Sequence, residues 1–315
     1  MKKIYAIVSA IILFMLCATT TLAATSEGKT TLELVEDKVC HIQLEDKGEF
    51  TKKLTSIDEE KKEAILTLTV KNTQSEETVV EGADIFLVID DSYSMKTQIS
   101  AGTTRKDAVI ASAKTLANKL LALNNDMQVG IVSFSSSQNE GTLEDAKLRT
   151  IPTHDTTAVQ NAIEAINTTP YDGPRTNIDA GMQIAKNNFN SQSKNKKRYV
   201  IVLTDGVPNN VVGGPTLTYS GEVATKTKAT IQSLQNSGIE VYTVMTGLNG
   251  ESIEPSTQRT YVSLAEEIFG TTAAPTVDKY FYIADNQIEE TIANTVYNEI
   301  VTTLDKPLEN IVIKD

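Results

Sequence analysis

Ile85-Phe86-Leu87-Val88-Ile89-Asp90-Asp91-Ser92-Tyr93-Ser94 is a run of five apolar residues that passes directly into a cluster of acids and hydroxyls. An unbroken apolar run predicts a strand buried on both faces, as at the centre of a parallel sheet. A second run, Tyr199-Val200-Ile201-Val202-Leu203, enters Thr204-Asp205-Gly206, so it too ends on an aspartate. In an open parallel sheet, ligands bind beyond the carboxyl ends of the strands. That placement brings Asp90 and Asp205 to one edge. Ser92 and Ser94, two residues apart in a loop leaving that edge, can point the same way. Thr176, in Gly173-Pro174-Arg175-Thr176-Asn177, arrives from a separate loop just before a helix. Two carboxylates and three hydroxyls are hard oxygen donors. They suit Mg²⁺, with Mn²⁺ or Ca²⁺ as alternatives, and not a soft metal. Neutral hydroxyls leave the cation electrophilic, with room for water or a partner's carboxylate.

Outward from these strands, the pattern alternates between buried strands and amphipathic helices. Val109, Ala113, Leu116, Ala117, Leu120 and Leu121 recur at helical spacing over 105–122, and Asn124-Asn125-Asp126 breaks that helix. Val129–Phe134 reads as the next strand, 148–151 as an edge strand, and Ala158, Ala162, Ile163 and Ile166 as a helical face. Helices are predicted over 177–189, 221–236 and 257–269, with Gly238 placed just past the second of them. Ile239–Val244 and Tyr280–Ile283 read as strands. A last helix is expected from Asn286, with Glu289 completing a capping box, and Ile288, Ile292, Val296, Ile300 and Leu304 follow at i+4 steps. This order predicts an α/β fold: a doubly wound, Rossmann-like, mostly parallel sheet with helices on both faces.

Residues 24–83 differ. They are richer in charge, and Leu66, Leu68 and Val70 alternate with Thr67 and Thr69 as in a half-buried strand. At the far end Pro307 stops the last helix and Ile311-Val312-Ile313 resembles a new strand. The expected organisation is an N-terminal β segment (24–83), the α/β domain (84–304) and the start of a C-terminal β segment (305–315) that is truncated. The α/β domain would then be inserted into a small β domain. There is no internal repeat or low-complexity tract.

Residues 1–23 read as an export signal: Lys2 and Lys3, the apolar run Ile4–Leu16, then Thr21-Leu22-Ala23 for cleavage. The apolar run is short for a span of about 20 residues. Removing the signal takes the charge of the 315-residue chain from −12 to −14, since Lys2 and Lys3 are its only charged side chains. Such acidity argues against phosphate-mediated nucleic-acid binding. Only Cys40 would remain, so an exported protein would have no intrachain disulfide.

Asp90-x-Ser92-x-Ser94, Thr176 and Asp205 give residues 84–304 a close resemblance to the von Willebrand factor type A (vWA) domain family and its metal-ion-dependent adhesion site. The resemblance implies Mg²⁺ held by these five residues, directly or through water, with a partner's Asp or Glu completing the coordination. It further implies an adhesion protein, secreted or on the bacterial cell surface, like a pilus-tip or cell-wall adhesin. Tyr93 is expected on the binding face. Loops 136–145, 168–175 and 207–221, with Tyr171, Arg175, Asn209, Asn210 and Tyr219, are expected to rim it. Asp91 and Asp179 read as turn or cap residues.

Two other functions compete. A structural role in a surface or pilus assembly would suit isopeptide chemistry at Lys71. A metal-dependent enzyme is disfavoured. The only histidines, His41 and His154, lie in no catalytic spacing, and no Gly-x-Ser-x-Gly, Walker loop or His-Glu-x-x-His occurs. A carboxylate-bearing extracellular protein, with cell-wall or pilus components besides, is the expected partner.

Overall fold

The computed structural model describes residues 80–304, apart from 138–139, 169–172, 215–220, 249–251 and 271–278, and the backbone of four strands between residues 30 and 71. The expected export signal, Tyr171, Tyr219, Pro307 and the strand at 311–313 lie outside the described residues, as do the side chains of Cys40, His41 and Lys71. The chain divides into two compact units. One holds β1 (Thr30–Leu34), β2 (Val39–Leu44), β3 (Gly48–Asp58) and β4 (Glu63–Lys71), an antiparallel sheet in sequential order with an irregularity between Leu54 and Ser56.

The other unit, Val79–Lys306, is built on a six-stranded sheet. Its strands are β5 (Ala83–Asp90), β8 (Gln128–Phe134), β9 (Ala146–Thr153), β10 (Lys197–Thr204), β11 (Ile239–Thr246) and β14 (Tyr280–Ile283). Two short pairs, β6 (Gln98–Ser100) with β7 (Thr103–Thr104) and β12 (Ile253–Glu254) with β13 (Arg259–Thr260), lie outside it. The spatial order is β14-β11-β10-β5-β8-β9, parallel throughout except for the antiparallel edge strand β9. This is the predicted mostly parallel, Rossmann-like sheet.

The period of two along β5 explains the layers. Ile85, Leu87 and Ile89 face one core with α1 (Arg105–Leu121), α2 (Thr156–Thr168) and the last helix. Phe86 and Val88 face the other, with α3 (Ile178–Asn187), α4 (Gly221–Gln235) and α5 (Tyr261–Phe269). Every residue of β5 is buried, so burial on both faces selects the apolar run. The chain leaves β5 toward β8 on one side and later fills β10 on the other. The switch point therefore falls between β5 and β10, where a ligand site is expected.

Two helix starts differ from the sequence expectation. The helix expected over 257–269 begins only at Tyr261. The β12–β13 hairpin precedes it, Gln258 adopts a left-handed φ of 56°, and Thr260 caps by accepting from the Ser263 amide (3.1 Å). The capping box expected at Asn286 and Glu289 does not form. A 3₁₀ turn over Asp285–Gln287 precedes the helix, and the Ala284 amide donates to Gln287 Oε1 (3.0 Å). The last helix, α6, runs through Ile288–Glu290, a π-helical turn Thr291–Thr295, and Val296–Leu304. No helix among the described residues is long and apolar enough to cross a membrane.

Candidate metal centre

The register of β5 with β10 pairs Ile89 with Leu203, which sets Asp90 beside Thr204 at the carboxyl edge. Asp90 is fully buried. Its Oδ1 accepts from the Ser92 amide (2.8 Å) and its Oδ2 from Thr204 Oγ1 (2.6 Å). The first bond is a local Asx turn that reverses the chain and lifts Ser92 and Ser94 onto the edge. Ser92 Oγ and Ser94 Oγ lie 3.1 Å apart, and Ser94 Oγ donates to Asp205 Oδ1 (2.6 Å). Thr176 Oγ1 stands 3.6 Å from where a Cβ on Gly206 would be, which places it beside the Asp205 turn. The five residues read from the sequence thus gather at the switch point. Asp90, Ser92, Thr176 and Asp205 are buried, and Ser94 opens to solvent.

Backbone bridges staple the loops. The Asp91 amide donates to the Phe134 carbonyl (2.8 Å), and the Tyr93 amide to the Gly173 carbonyl (3.1 Å). Ser136 and Arg175 exchange two backbone hydrogen bonds (2.8 and 3.1 Å). A Cβ on Gly173 would stand 2.1 Å from the Ser136 carbonyl oxygen, so only glycine permits that approach. Thr176 is held through Asn209, whose Oδ1 accepts the Thr176 amide (2.9 Å) and whose amide donates to the Thr176 carbonyl (3.2 Å). Asn210 is buried and donates to Ser136 Oγ (2.9 Å). Asn209 and Asn210 are therefore scaffold, not the ligand-reading rim residues expected from the sequence. Tyr93, by contrast, is 50% exposed beside Ser92 and Ser94, with Lys96 Nζ 4.6 Å from its ring centroid.

Asp91 and Asp179 have larger parts than turn residues. Asp91 forms a buried ion pair with Lys106 (2.7 Å), with Arg149 Nη2 4.0 Å away. Asp179, in the first turn of α3, accepts from Thr230 Oγ1 (2.6 Å) and the Val212 amide (3.0 Å), tying α4 and the loop after β10 to α3.

Sequence reasoning missed Arg105. Its Nη1 donates to Asp205 Oδ2 (2.7 Å), while Nε and Nη2 grip the two oxygens of Asp285 (2.7 and 2.9 Å). Thr246 Oγ1 also donates to Asp285 (2.8 Å). A signal did exist. Arg105 and Lys106 put two cations in the first turn of α1, against the helix dipole, which implies compensation elsewhere. Thr104 and Asp107 form the capping box that starts this helix.

Electrostatics separate the carboxyls. Burial, reinforced by repulsion from Asp205, pushes Asp90 up to about 7, against the pull of its hydrogen bonds. Burial also raises Asp205, although Ser94 and Arg105 oppose it. The hydrogen bond from Arg105 holds Asp285 below the usual carboxylate range. Asp90 is thus a carboxyl seated where its negative charge is poorly compensated, beside hydroxyl oxygens in mutual contact. That donor chemistry fits a hard divalent cation. Among the described residues no three His, Cys, Asp or Glu side chains form a metal-holding group, so hydroxyls must supply much of any coordination.

Residues 85–207 match the model of the von Willebrand factor type A domain family. Among solved structures, the pilus adhesin SpaC from Lactobacillus rhamnosus GG aligns at TM-score 0.56 and 18% identity over 88% of this chain. The chain spans 34% of SpaC, about a third of its length. The PilB minor pilin from Streptococcus sanguinis aligns at TM-score 0.51 and 14% identity, over 88% of this chain and 78% of PilB. At these identities the likeness is one of fold. No match to a curated protein sequence was found.

Proposed function

We propose that this protein is an exported, surface-associated adhesion module. It holds Mg²⁺ at Asp90, Ser92, Ser94, Thr176 and Asp205 and binds a protein partner through that partner's Asp or Glu. The observation that carries the reading is the contact chain Ser92 Oγ–Ser94 Oγ–Asp205 Oδ1 (3.1 and 2.6 Å) above the buried Asp90, at the switch point of a vWA-type sheet. When bound, the cation would act as a Lewis acid toward an incoming carboxylate. The chain's own residues do the rest. Asp90 orients the Ser92 turn, Asn209 fixes Thr176, and the stapled loops hold the hydroxyls without rearrangement, which limits the ordering cost of binding. Tyr93 offers an exposed aromatic anchor beside the open side of Ser94. Nothing in this arrangement calls for a nucleophile or a general base, and the reading is non-enzymatic.

The similarity to a pilus adhesin and a minor pilin supports placement on a pilus or cell wall. It also keeps a second reading, a structural pilus component, in play. In either case we assign 1–23 to export, 24–83 and 305–315 to a flanking β module, and 84–304 to the binding domain. Calorimetric titration of Mg²⁺ and Mn²⁺ into the protein tests the first reading. Binding is expected, and Asp90→Ala and Asp205→Ala should abolish it with the circular dichroism spectrum intact. Binding unaffected by both substitutions would refute the assignment.

A further inference from the structure

The site carries a cation of its own, Arg105, outside the five-residue set. Its guanidinium is buried and held on three sides. Nη1 reaches Asp205 Oδ2 (2.7 Å) and, more loosely, the Ser94 carbonyl (3.4 Å), while Nε and Nη2 clasp Asp285 (2.7 and 2.9 Å). Gly247 closes the fourth side. At φ +74° it lies so near that a Cβ would stand 2.2 Å from Arg105 Cζ. The two oxygens of Asp205 are therefore divided: Oδ1 faces Ser94 Oγ and the hydroxyl cluster, and Oδ2 faces Arg105. The two partners of Arg105 also differ. The Asp205 side chain is buried, whereas that of Asp285 is 29% exposed and borders a cleft of about 460 Å³ lined in part by Leu248 and Tyr282.

Resting on the metal reading above, we propose that Arg105 is a positioning residue that lowers the site's affinity for free cation, and that Asp285 limits how far it does so. Cation affinity at oxygen sites follows the count of ligand charge. Arg105 cancels part of the charge on Asp205, so the cation is held loosely by the protein alone and keeps more of its charge for an incoming carboxylate. Asp285 competes for the same guanidinium with two hydrogen bonds to Asp205's one. Removing Asp285 would leave Arg105 to neutralise Asp205 more completely and would delete a nearby negative charge. Both effects weaken cation binding. A purely structural Arg105, serving only to tie α1 to β10 and β14, predicts something different: losing either residue would loosen the site and lower affinity.

Mn²⁺ alone is the probe, titrated by calorimetry at fixed ionic strength into the wild-type protein, Arg105→Gln and Asp285→Asn, with thermal unfolding recorded for each. Arg105→Gln is expected to bind Mn²⁺ about ten-fold more tightly, the size of one partly screened charge at this range. Asp285→Asn should bind several-fold more weakly. Unchanged or weaker binding by a folded Arg105→Gln would overturn the inference and leave the metal reading standing. If that variant does not fold, the double variant Arg105→Gln/Asp285→Asn is compared with Asp285→Asn: tighter Mn²⁺ binding by the double variant is expected, and equal or weaker binding overturns the inference. Failure of the wild-type protein to bind Mn²⁺ would overturn the metal reading and this inference together.

Discussion

Asp90→Asn should stabilise the metal-free protein while destroying its response to metal. The Asp90 carboxyl is displaced from 3.8 to about 7, chiefly by burial and then by Asp205. A carboxyl raised in the folded state keeps a proton that the unfolded chain has already lost. Stability of the metal-free protein therefore falls as pH rises from about 4 to about 7 and levels off above that. At about 1.4 kcal/mol per pH unit, the loss approaches about 4 kcal/mol. For a domain of this size that is on the order of 10 °C in Tm. Asp205 is raised as well and adds to the same slope. Carboxyls held low by hydrogen bonds, Asp107 by Thr104 and Asp285 by Arg105, lose their contribution only at more acid pH. Asparagine keeps one acceptor for the Ser92 amide. Thr204 Oγ1 can turn its proton to the Gly206 carbonyl (3.3 Å) and accept from the new amide. Thermal unfolding in EDTA from pH 5 to pH 8 is the assay. The wild-type Tm should fall across this range, the variant should lose most of the slope, and the variant should be the more stable at pH 8. Mg²⁺ or Mn²⁺ should raise the wild-type Tm and leave the variant's unchanged. A wild-type Tm that is flat or rising in EDTA, or a variant less stable at pH 8, would refute the reasoning.

Thr176→Ala removes one neutral donor held by backbone contacts, so Mn²⁺ affinity should drop about ten-fold with Tm little changed, as calorimetry and thermal melts would show. Lys106→Met removes the buried 2.7 Å ion-pair partner of Asp91. Urea unfolding should show a loss of about 3–5 kcal/mol, with or without metal. Deleting Thr295 should convert the π turn into plain α-helix and leave the apolar stripe in phase, with little change in stability. Deleting Asn298 instead would turn Ile300 and Leu304, both buried, by about 100° out of the core. At about 1.5–3 kcal/mol per side chain, that should cost several kcal/mol.

The fold was legible wherever one physical requirement dominated the residue choice. Strands buried on both faces must be apolar throughout, hence β5 and β10; a helix against a sheet must repeat every three to four residues, hence α1. The last helix shows both the reach and the limit of such patterns. Ile288, Ile292, Val296, Ile300 and Leu304 are all buried, as the i+4 spacing indicated. Yet at about 100° per residue, four such steps in an α-helix drift by about 160°, too far for one face. The π turn takes up one residue and cuts the drift to about 60°, so a strict i+4 stripe of this length already implied it. Thr260 and Ala284 became helix starts through hairpin and 3₁₀ geometry that short-range composition does not reveal. The gathering of Asp90, Ser92, Ser94, Thr176 and Asp205 at one edge was legible because each lies at or just past a strand end or just before a helix. Arg105 was not, because its partners are 100 and 180 residues away and only its awkward position at a helix N-terminus hinted at them.

Where charge is buried in this molecule argues for what that edge is for. Asp90, Asp91, Arg105, Lys106 and Asp205 are all buried at the carboxyl edge, beside apolar cores on both faces of the sheet. The opposite end of β5 carries Asp84, hydrogen-bonded by Asn195 Nδ2 (2.7 Å) with Arg198 at 3.9 Å. Burying ion pairs seldom improves on well-packed hydrophobic residues, so stability alone does not explain such a concentration. Asp91 and Lys106 cancel each other and lock α1 to the loop after β5. Arg105 balances one of its two carboxylates and leaves a net negative charge. Among the described residues no cation pairs with Asp90, and burial carries it toward neutrality by proton uptake. The edge is therefore short of positive charge beneath its hydroxyls, while Ser94 and Tyr93 stand open to solvent. A divalent cation bound there would supply the missing charge and, with Arg105 already satisfying part of Asp205, retain enough of its own to attract a carboxylate from outside.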